Sequence, residues 1–282
     1  MDHDVILILD YGSQYTQLIA RRLRELGVKS VVERGDLPGE EVVAARPIAV
    51  VLSGGPSSVF ERGALAPAPE VFELGVPVLG ICYGMHLMAH LLGGTVRPSE
   101  RREYGLAELE RATPRSVLTH TPDRQTVWMS HGDSVEGLPD GFEVLGRTAS
   151  TPIAAIVDES RRFVGLQFHP EVAHTPHGTA MLESFLDLAG ARRDWQTAAI
   201  RRELVDELRR RVPEGRVICA VSGGVDSTVT AMLLKEAVGD RVVSVFVDTG
   251  MLRKGERDRI SRRFGEYRSE EHTSELQSLL II

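Results

Sequence analysis

The sequence predicts an α/β protein: a parallel-sheet domain, followed by the first part of a second, doubly wound α/β domain. Three observations carry this. Short β-branched runs alternate with helically spaced apolar residues, glycine turns separate them, and the alternation restarts near residue 215. At 282 residues the chain is long for one domain, and 42% hydrophobic with 26% charged residues is an ordinary globular composition.

Residues 5–9 (VILIL) read as a strand ending at Asp10 and Gly12. Helical spacing of Leu18, Ile19, Leu23 and Leu26 follows, with Gly27 as the helix C-cap. KSVVE and PIAVVLSGGP read as the next two strands, the latter closing on a glycine turn. A fourth strand, Val76–Ile81, runs through a turn into a helix over Met85–Leu92. Between residues 95 and 168 the pattern shifts to short strands around Gly105–Leu109, Thr126–Met129, Phe142–Gly146, Ala154–Asp158 and Phe163–Phe168. These should extend the sheet and add a small antiparallel layer. A helix over Gly178–Leu188 closes the domain, with a boundary near residue 190 and a linker plus amphipathic helix over 191–214. RVICAV then reads as a buried strand, SGGVDS as a turn, Thr228–Val238 as a helix and RVVSVFVD as the next parallel strand.

Composition narrows the function classes. Net charge is −7, and Lys and Arg are scattered among the acids, which argues against a nucleic-acid or anionic-membrane surface. Two cysteines, Cys82 and Cys219, cannot build a disulfide framework. The start, MDHDVILILD, lacks the pattern of a secretory leader, and apolar runs such as Ile48–Leu52 are too short to span a bilayer. A cytoplasmic location is the natural reading.

Cys82 sits in Gly80-Ile81-Cys82-Tyr83-Gly84, between a strand and a helix. A side chain on such a turn is held exposed, and the helix N-terminus favours its thiolate. A cysteine nucleophile needs a base, and the base an orienting group. Phe168-His169-Pro170-Glu171 is the compact candidate, with His169 as base and acid and Glu171 accepting from its ring. Taken with Leu52-Ser53-Gly54-Gly55-Pro56 upstream, these motifs resemble the class I glutamine amidotransferases, over residues 1 to 190.

The resemblance implies that Cys82 attacks the side-chain amide of glutamine, His169 protonates departing ammonia, and water hydrolyses the glutamyl thioester. Backbone N–H groups at Gly55 and Tyr83 would hold the oxyanion, each typically worth about 3 kcal/mol in the transition state. Ser130-His131-Gly132-Asp133 resembles the segment that grips the α-amino and α-carboxylate groups of glutamine. Where the family usually has Gln after Gly-Met, this chain has His86, read either as a glutamine contact or as a helix-surface histidine.

Further along, Ser222-Gly223-Gly224-Val225-Asp226-Ser227 joins a strand to a helix and can present backbone N–H groups to phosphate. It lacks the Gly-Lys-Ser ending of ordinary nucleotide loops and resembles the SGGxDS loop of ATP pyrophosphatases, of the adenine nucleotide α-hydrolase type. The likeness implies ATP as a substrate cradled by residues 222–227, Mg²⁺ near Asp226 and Asp248 by the adenosine, while Cys219 packs in the core. Both halves, with the opening Leu9-Asp10-Tyr11-Gly12-Ser13-Gln14-Tyr15-Thr16-Gln17-Leu18-Ile19-Ala20-Arg21-Arg22, resemble the GMP synthase family. That family's substrates are glutamine, ATP and xanthosine monophosphate (XMP), and its full-length members are expected to be homodimers.

The likeness covers 215–267 of the ATP domain and stops at Tyr267, short of the parts that bind XMP and dimerise. Residues 268–282 read as the in-frame translation of a sequencing adapter, an artefactual tail. Glutamine hydrolysis at most, without GMP formation, is then expected, with poor solubility from unpaired strand edges. The rival readings are a glutaminase serving another acceptor, such as carbamoyl phosphate or anthranilate synthesis, and an inactive fragment. A sulfur-transfer enzyme sharing the ATP loop leaves Cys82, His169 and Glu171 unexplained.

Overall fold

A computed structural model describes residues 3–247, together with 255, 258–259, 272–273 and 279–281. The chain divides into two compact units, Met1–Gln196 and Thr197–Ile282. In the first, β1 (Val5–Asp10), α1 (Thr16–Glu25), β2 (Lys29–Arg34), α2 (Gly39–Ala44), β3 (Ala49–Leu52), α3 (Glu70–Glu73), β4 (Val78–Ile81) and α4 (Tyr83–Leu91) follow in order. Then come β5 (Thr95–Arg111), β6 (Arg124–Gly137), β7 (Glu143–Arg147), β8 (Ala155–Asp158), β9 (Phe163–Leu166) and α5 (Gly178–Leu188).

All nine strands form one sheet, ordered β2-β1-β3-β4-β9-β8-β7-β5-β6. The first five in that order are parallel, and β8, β7, β5 and β6 continue it antiparallel. The late strands therefore extend the main sheet, and the separate antiparallel layer expected from the sequence does not form. Alternate strand residues face opposite ways. Ile6, Ile8, Val51 and Ile81 pack with Ile19 and Leu23 of α1 and Phe185 of α5. Leu7, Leu9, Val50 and Leu52 pack with Val42 of α2, Val71 of α3 and Met88 of α4. Truncating one such buried Leu or Ile to Ala typically costs about 2–5 kcal/mol.

The helices stop and start where the sequence requires. Gly27 takes φ +82 after α1, and Val28 N–H returns to Leu23 O at 3.1 Å. The short α2 and α3 follow Pro38 and Pro69 and carry glutamates in their first turns, favourable against the helix dipole.

In the second unit, α6 (Thr197–Arg211), β10 (Val217–Val221), α7 (Val225–Val238) and β11 (Val242–Val247) precede β12 (His272–Thr273) and β13 (Leu279–Ile281). Cys219, Val221, Ala231, Leu234 and Phe246 form its core, with Leu208 of α6 packed against it. The helix expected inside a linker thus belongs to this unit, and the division falls at Gln196/Thr197 instead of near residue 190. β10, expected to be a buried strand, alternates, with Ile218 75% exposed beside buried Cys219. The sheet order is β10-β11-β13-β12, so the far edge of β11, expected unpaired, is covered antiparallel by β13. Among the described residues no helix is long and apolar enough to cross a membrane.

Candidate active site

The candidate residues of the first unit gather at the carboxyl ends of parallel strands, where open α/β sheets characteristically place their sites. Tyr11–Tyr15 follow β1, Ser53–Gly55 follow β3, Cys82 follows β4, and His169 lies just beyond β9. Parallel pairing of β4 with β9 sets Ile81 opposite Leu166, and Cys82 N–H donates to Leu166 O at 2.7 Å. This pairing brings together two motifs far apart in sequence.

Cys82 caps α4 with φ +52 and ψ −106, a conformation costly for a residue bearing a Cβ. Its neighbours make the turn possible. A Cβ at Gly84 would stand 2.2 Å from Leu52 O, and one at Gly80 2.6 Å from Gly84 O. Glycine is therefore required at both positions by space. In the first turn of α4, Gly84 N–H donates to Ser53 O, and those of Met85 and His86 go to Cys82 O. The remaining amide, at Tyr83, lacks an intrahelical acceptor by position. Cys82 is only 4% exposed, against the expectation of an exposed nucleophile, and its thiol donates to Ser130 O at 3.4 Å. The turn aims the side chain at neighbouring segments that close over it.

The base is equally fixed. His169 Nδ1–H donates to Glu171 Oε1 at 2.7 Å, both side chains being buried. His169 N–H is bonded to Trp128 O, and His169 O accepts from Thr175 Oγ1 at 2.6 Å. Burial by itself would depress the imidazole pKa. The Glu171 carboxylate and the Cys82 thiol outweigh burial and raise it to about 10. His169 is thereby held as the imidazolium beside the Cys82 sulfur. At 3% and 1% exposure, His169 and Glu171 lie inside the protein and not on a surface turn.

The glycine loop after β3 touches both partners. A Cβ on Gly54 would meet His169 Cε1 at 3.1 Å, and one on Gly55 would meet Tyr11 O at 2.7 Å and Tyr83 Cδ1 at 3.2 Å. Ser53 locks the loop, accepting from Tyr11 N–H and donating to Gly54 O. Ser130 to Asp133 lie on β6, with Ser130 opposite Tyr104 and His131 opposite Glu103. His131 Nδ1–H donates to Asp133 O at 2.8 Å. His86 is buried, not on the helix surface, and pairs with Gln167 Oε1 at 2.8 Å.

Sequence reasoning missed several residues here. Tyr15 sets its ring edge-to-face on His169 with centroids 5.0 Å apart. Arg22 Nε–H donates to Glu171 O at 3.1 Å. Tyr15 and Arg22 both stand in the opening motif, Leu9 to Arg22, which is the available signal. Glu103 accepts from Ser150 and Thr151 and faces His131 Nε2 at 3.4 Å. No local pattern marks Glu103, because only strand pairing brings it to His131.

In the second unit, the SGGVDS turn is tied to itself. Ser222 N–H donates to Ser227 Oγ at 3.1 Å, Gly224 O accepts from Ser227 and Thr228 hydroxyls, and Gly223 takes φ +77. The loop opens α7, and Ser222, Gly224, Val225 and Asp226 are exposed. A helix N-terminus with exposed glycine amides is suited to phosphate. Asp248 lies outside the described residues. Among the described residues no group of three or more His, Cys, Asp or Glu is placed to hold a metal ion.

Comparison with known proteins adds to this geometry. The family model of glutamine amidotransferase class-I matches residues 7–189, and that of the tRNA methyl transferase HUP domain matches 215–266. The GMP synthase (glutamine-hydrolyzing) of Thermobifida fusca is 48% identical over 262 residues, covering 93% of this chain and 50% of that protein. The corresponding protein of Staphylococcus aureus strain Newman is 47% identical, covering 94% and 52%. The chain thus spans about half the length of the curated relatives it matches. Among solved structures, a protein of Thermoplasma acidophilum assigned to GMP synthase superposes with a TM-score of 0.62 at 28% identity, over 67% of this chain and 96% of that one.

Proposed function

Because the chain belongs to the class I glutamine amidotransferase family, we propose that its first unit hydrolyses glutamine and that the ammonia serves an ATP-dependent conversion of XMP to GMP. The observation that carries the first part is the buried Cys82, His169 and Glu171 arrangement at the ends of β4 and β9. Identity near half to glutamine-hydrolyzing GMP synthases, running into the SGGVDS loop, supports the second.

In this reading the Cys82 thiolate adds to the side-chain carbonyl carbon of glutamine. The resulting oxyanion accepts hydrogen bonds from the Gly55 and Tyr83 amides. His169, protonated, gives its proton to the amide nitrogen as the C–N bond breaks, releasing ammonia and leaving a thioester. Water then attacks the thioester, His169 takes its proton, and glutamate departs as the thiolate is restored. Glu171 holds the imidazole in the tautomer that turns Nε2 toward the sulfur. Ser130, His131, Gly132 and Asp133 grip the α-amino and α-carboxylate groups of the substrate.

Residues 222–227 would cradle the phosphates of ATP, whose cleavage to AMP and pyrophosphate activates the acceptor oxygen. Asp226, exposed in the first turn of α7, would hold Mg²⁺ together with phosphate oxygens, as that ion prefers. The ion would offset phosphate charge. A reaction that depends on a free thiol suits a reducing, cytoplasmic setting. Residues 268–282 carry no part of the activity in this reading, and deleting them should leave glutamate release unchanged.

The decisive experiment measures glutamate release by the chain and by Cys82→Ala. Release confined to the parent supports the nucleophile, and release that survives the substitution sinks it. The acceptor is tested by supplying ATP with XMP to a protein carrying the relatives' full length. Formation of GMP, AMP and pyrophosphate is expected there, and glutamine hydrolysis without any of them would remove GMP synthesis from the proposal.

A further inference from the structure

Directly behind the nucleophile lies a buried polar pair that the proposed chemistry does not use. His86 stands one helical turn after Cys82, and its backbone N–H donates to Cys82 O at 3.1 Å. Its ring Nε2 is 2.8 Å from Gln167 Oε1. An amide oxygen only accepts, so that ring nitrogen carries the proton. Gln167 precedes His169 by two residues, is fully buried, and is anchored by its own N–H to Ala154 O at 2.9 Å. One hydrogen bond therefore bridges the helix bearing the nucleophile to the segment bearing the base.

The surroundings make the bridge exclusive. Gln167 Nε2 has no hydrogen-bond partner among the described residues. His131 and Asp133 of β6 are the titratable groups that act on His86; His131 Nε2 faces Glu103 Oε2 at 3.4 Å, and neither it nor Asp133 Oδ2 makes a hydrogen bond among the described residues. Buried polar groups left unpaired are costly, so loss of either member of the pair strands the other. The remainder of α4, from Tyr83 to Ala89, is buried and cannot turn to compensate.

We infer that His86 is a positioning residue: through its hydrogen bond to Gln167 it sets the separation of Cys82 from His169 and does not bind glutamine. The inference rests on glutamine hydrolysis as the reaction of this site. Small displacements between reacting groups cost rate steeply, so the effect falls on kcat. A second amide at position 86 can donate to Gln167 Oε1 as the imidazole does, whereas an aliphatic side chain of similar volume cannot.

The test compares His86→Leu and His86→Gln in the full chain. Two readouts apply, the kcat and KM of glutamate release, and the rate of iodoacetamide alkylation followed on the Cys82 peptide. His86→Leu should lower kcat and slow alkylation, each by at least about tenfold, leaving KM within about twofold, while His86→Gln restores both to within about threefold. A raised KM with unchanged kcat makes His86 a glutamine ligand and overturns the inference. So does a folded His86→Leu that matches the parent in both readouts. Should His86→Leu not fold, Gln167→Leu removes the same bridge from the other side, and a folded Gln167→Leu with parental alkylation overturns the inference equally. Alkylation needs no turnover: a parent that releases no glutamate refutes the functional reading, while the alkylation rates still decide the bridge.

Discussion

Replacing Glu171 by Gln keeps the shape of the side chain and removes its charge. His169 stands at about 10 against an ordinary 6.5, which at about 1.4 kcal/mol per pH unit is about 5 kcal/mol in favour of the imidazolium. Burial works against that figure, the Glu171 charge is its leading favourable part, and Cys82 supplies much of the rest. The second carboxylate oxygen, Oε2, has no partner among the described residues, so the charge is directed at the imidazole. In Glu171→Gln that support is gone, and burial pulls the imidazole pKa down. Iodoacetamide alkylation of Cys82 reads the change, because an adjacent imidazolium favours the nucleophilic thiolate. Alkylation at neutral pH should be slower in the variant than in the parent. Because the carboxylate also fixes the ring tautomer, kcat for glutamate release should fall by about 10²–10⁴. A variant with the parental alkylation profile and kcat within about twofold would refute the role given to Glu171.

Gly84→Ala would drive a methyl group to 2.2 Å from Leu52 O, costing about 3 kcal/mol and roughly 10 °C in thermal midpoint; an unshifted melting curve would contradict the packing of the turn. Tyr15→Ala removes the ring resting on His169 and should lower kcat roughly tenfold, the scale of one aromatic contact, while Tyr15→Phe keeps the parental rate; equal losses in both would assign the effect to the hydroxyl. Stability should depend on pH at both histidines. His86 is lowered to about 4, chiefly by burial, so its contribution is complete above 6.5 and lost as pH falls toward 4, by about 3 kcal/mol in total. His169, raised to about 10, contributes fully below 6.5, and that stability is lost as pH rises through 10. Denaturant unfolding of the parent and His86→Gln between pH 4 and 7 checks the acid arm, which the variant should flatten.

How much of this the sequence discloses depends on how local each determinant is. The turn around Cys82 is legible because glycines at 80 and 84 are demanded by contacts within a few residues and with Leu52 at the end of β3. His169 and Glu171 are legible as a pair because their hydrogen bond spans two residues. The insertion of β9 beside β4 is not legible, since no residue in either strand specifies its neighbour. Nor is the burial of His86. Residues 83–89 are all covered, so α4 lacks the polar face by which helical spacing separates core from surface. The boundary was displaced because α6 is charged between its apolar positions, like a linker helix, yet it packs within the second unit.

The pairing of β4 with β9 also orders events in time. Cys82 leaves the ribosome well before His169, and the strand that carries His169 must slot between β4 and β8 before the two can meet. Until then neither the imidazole nor its carboxylate partner stands beside the sulfur, so the three groups come together only when the sheet is complete.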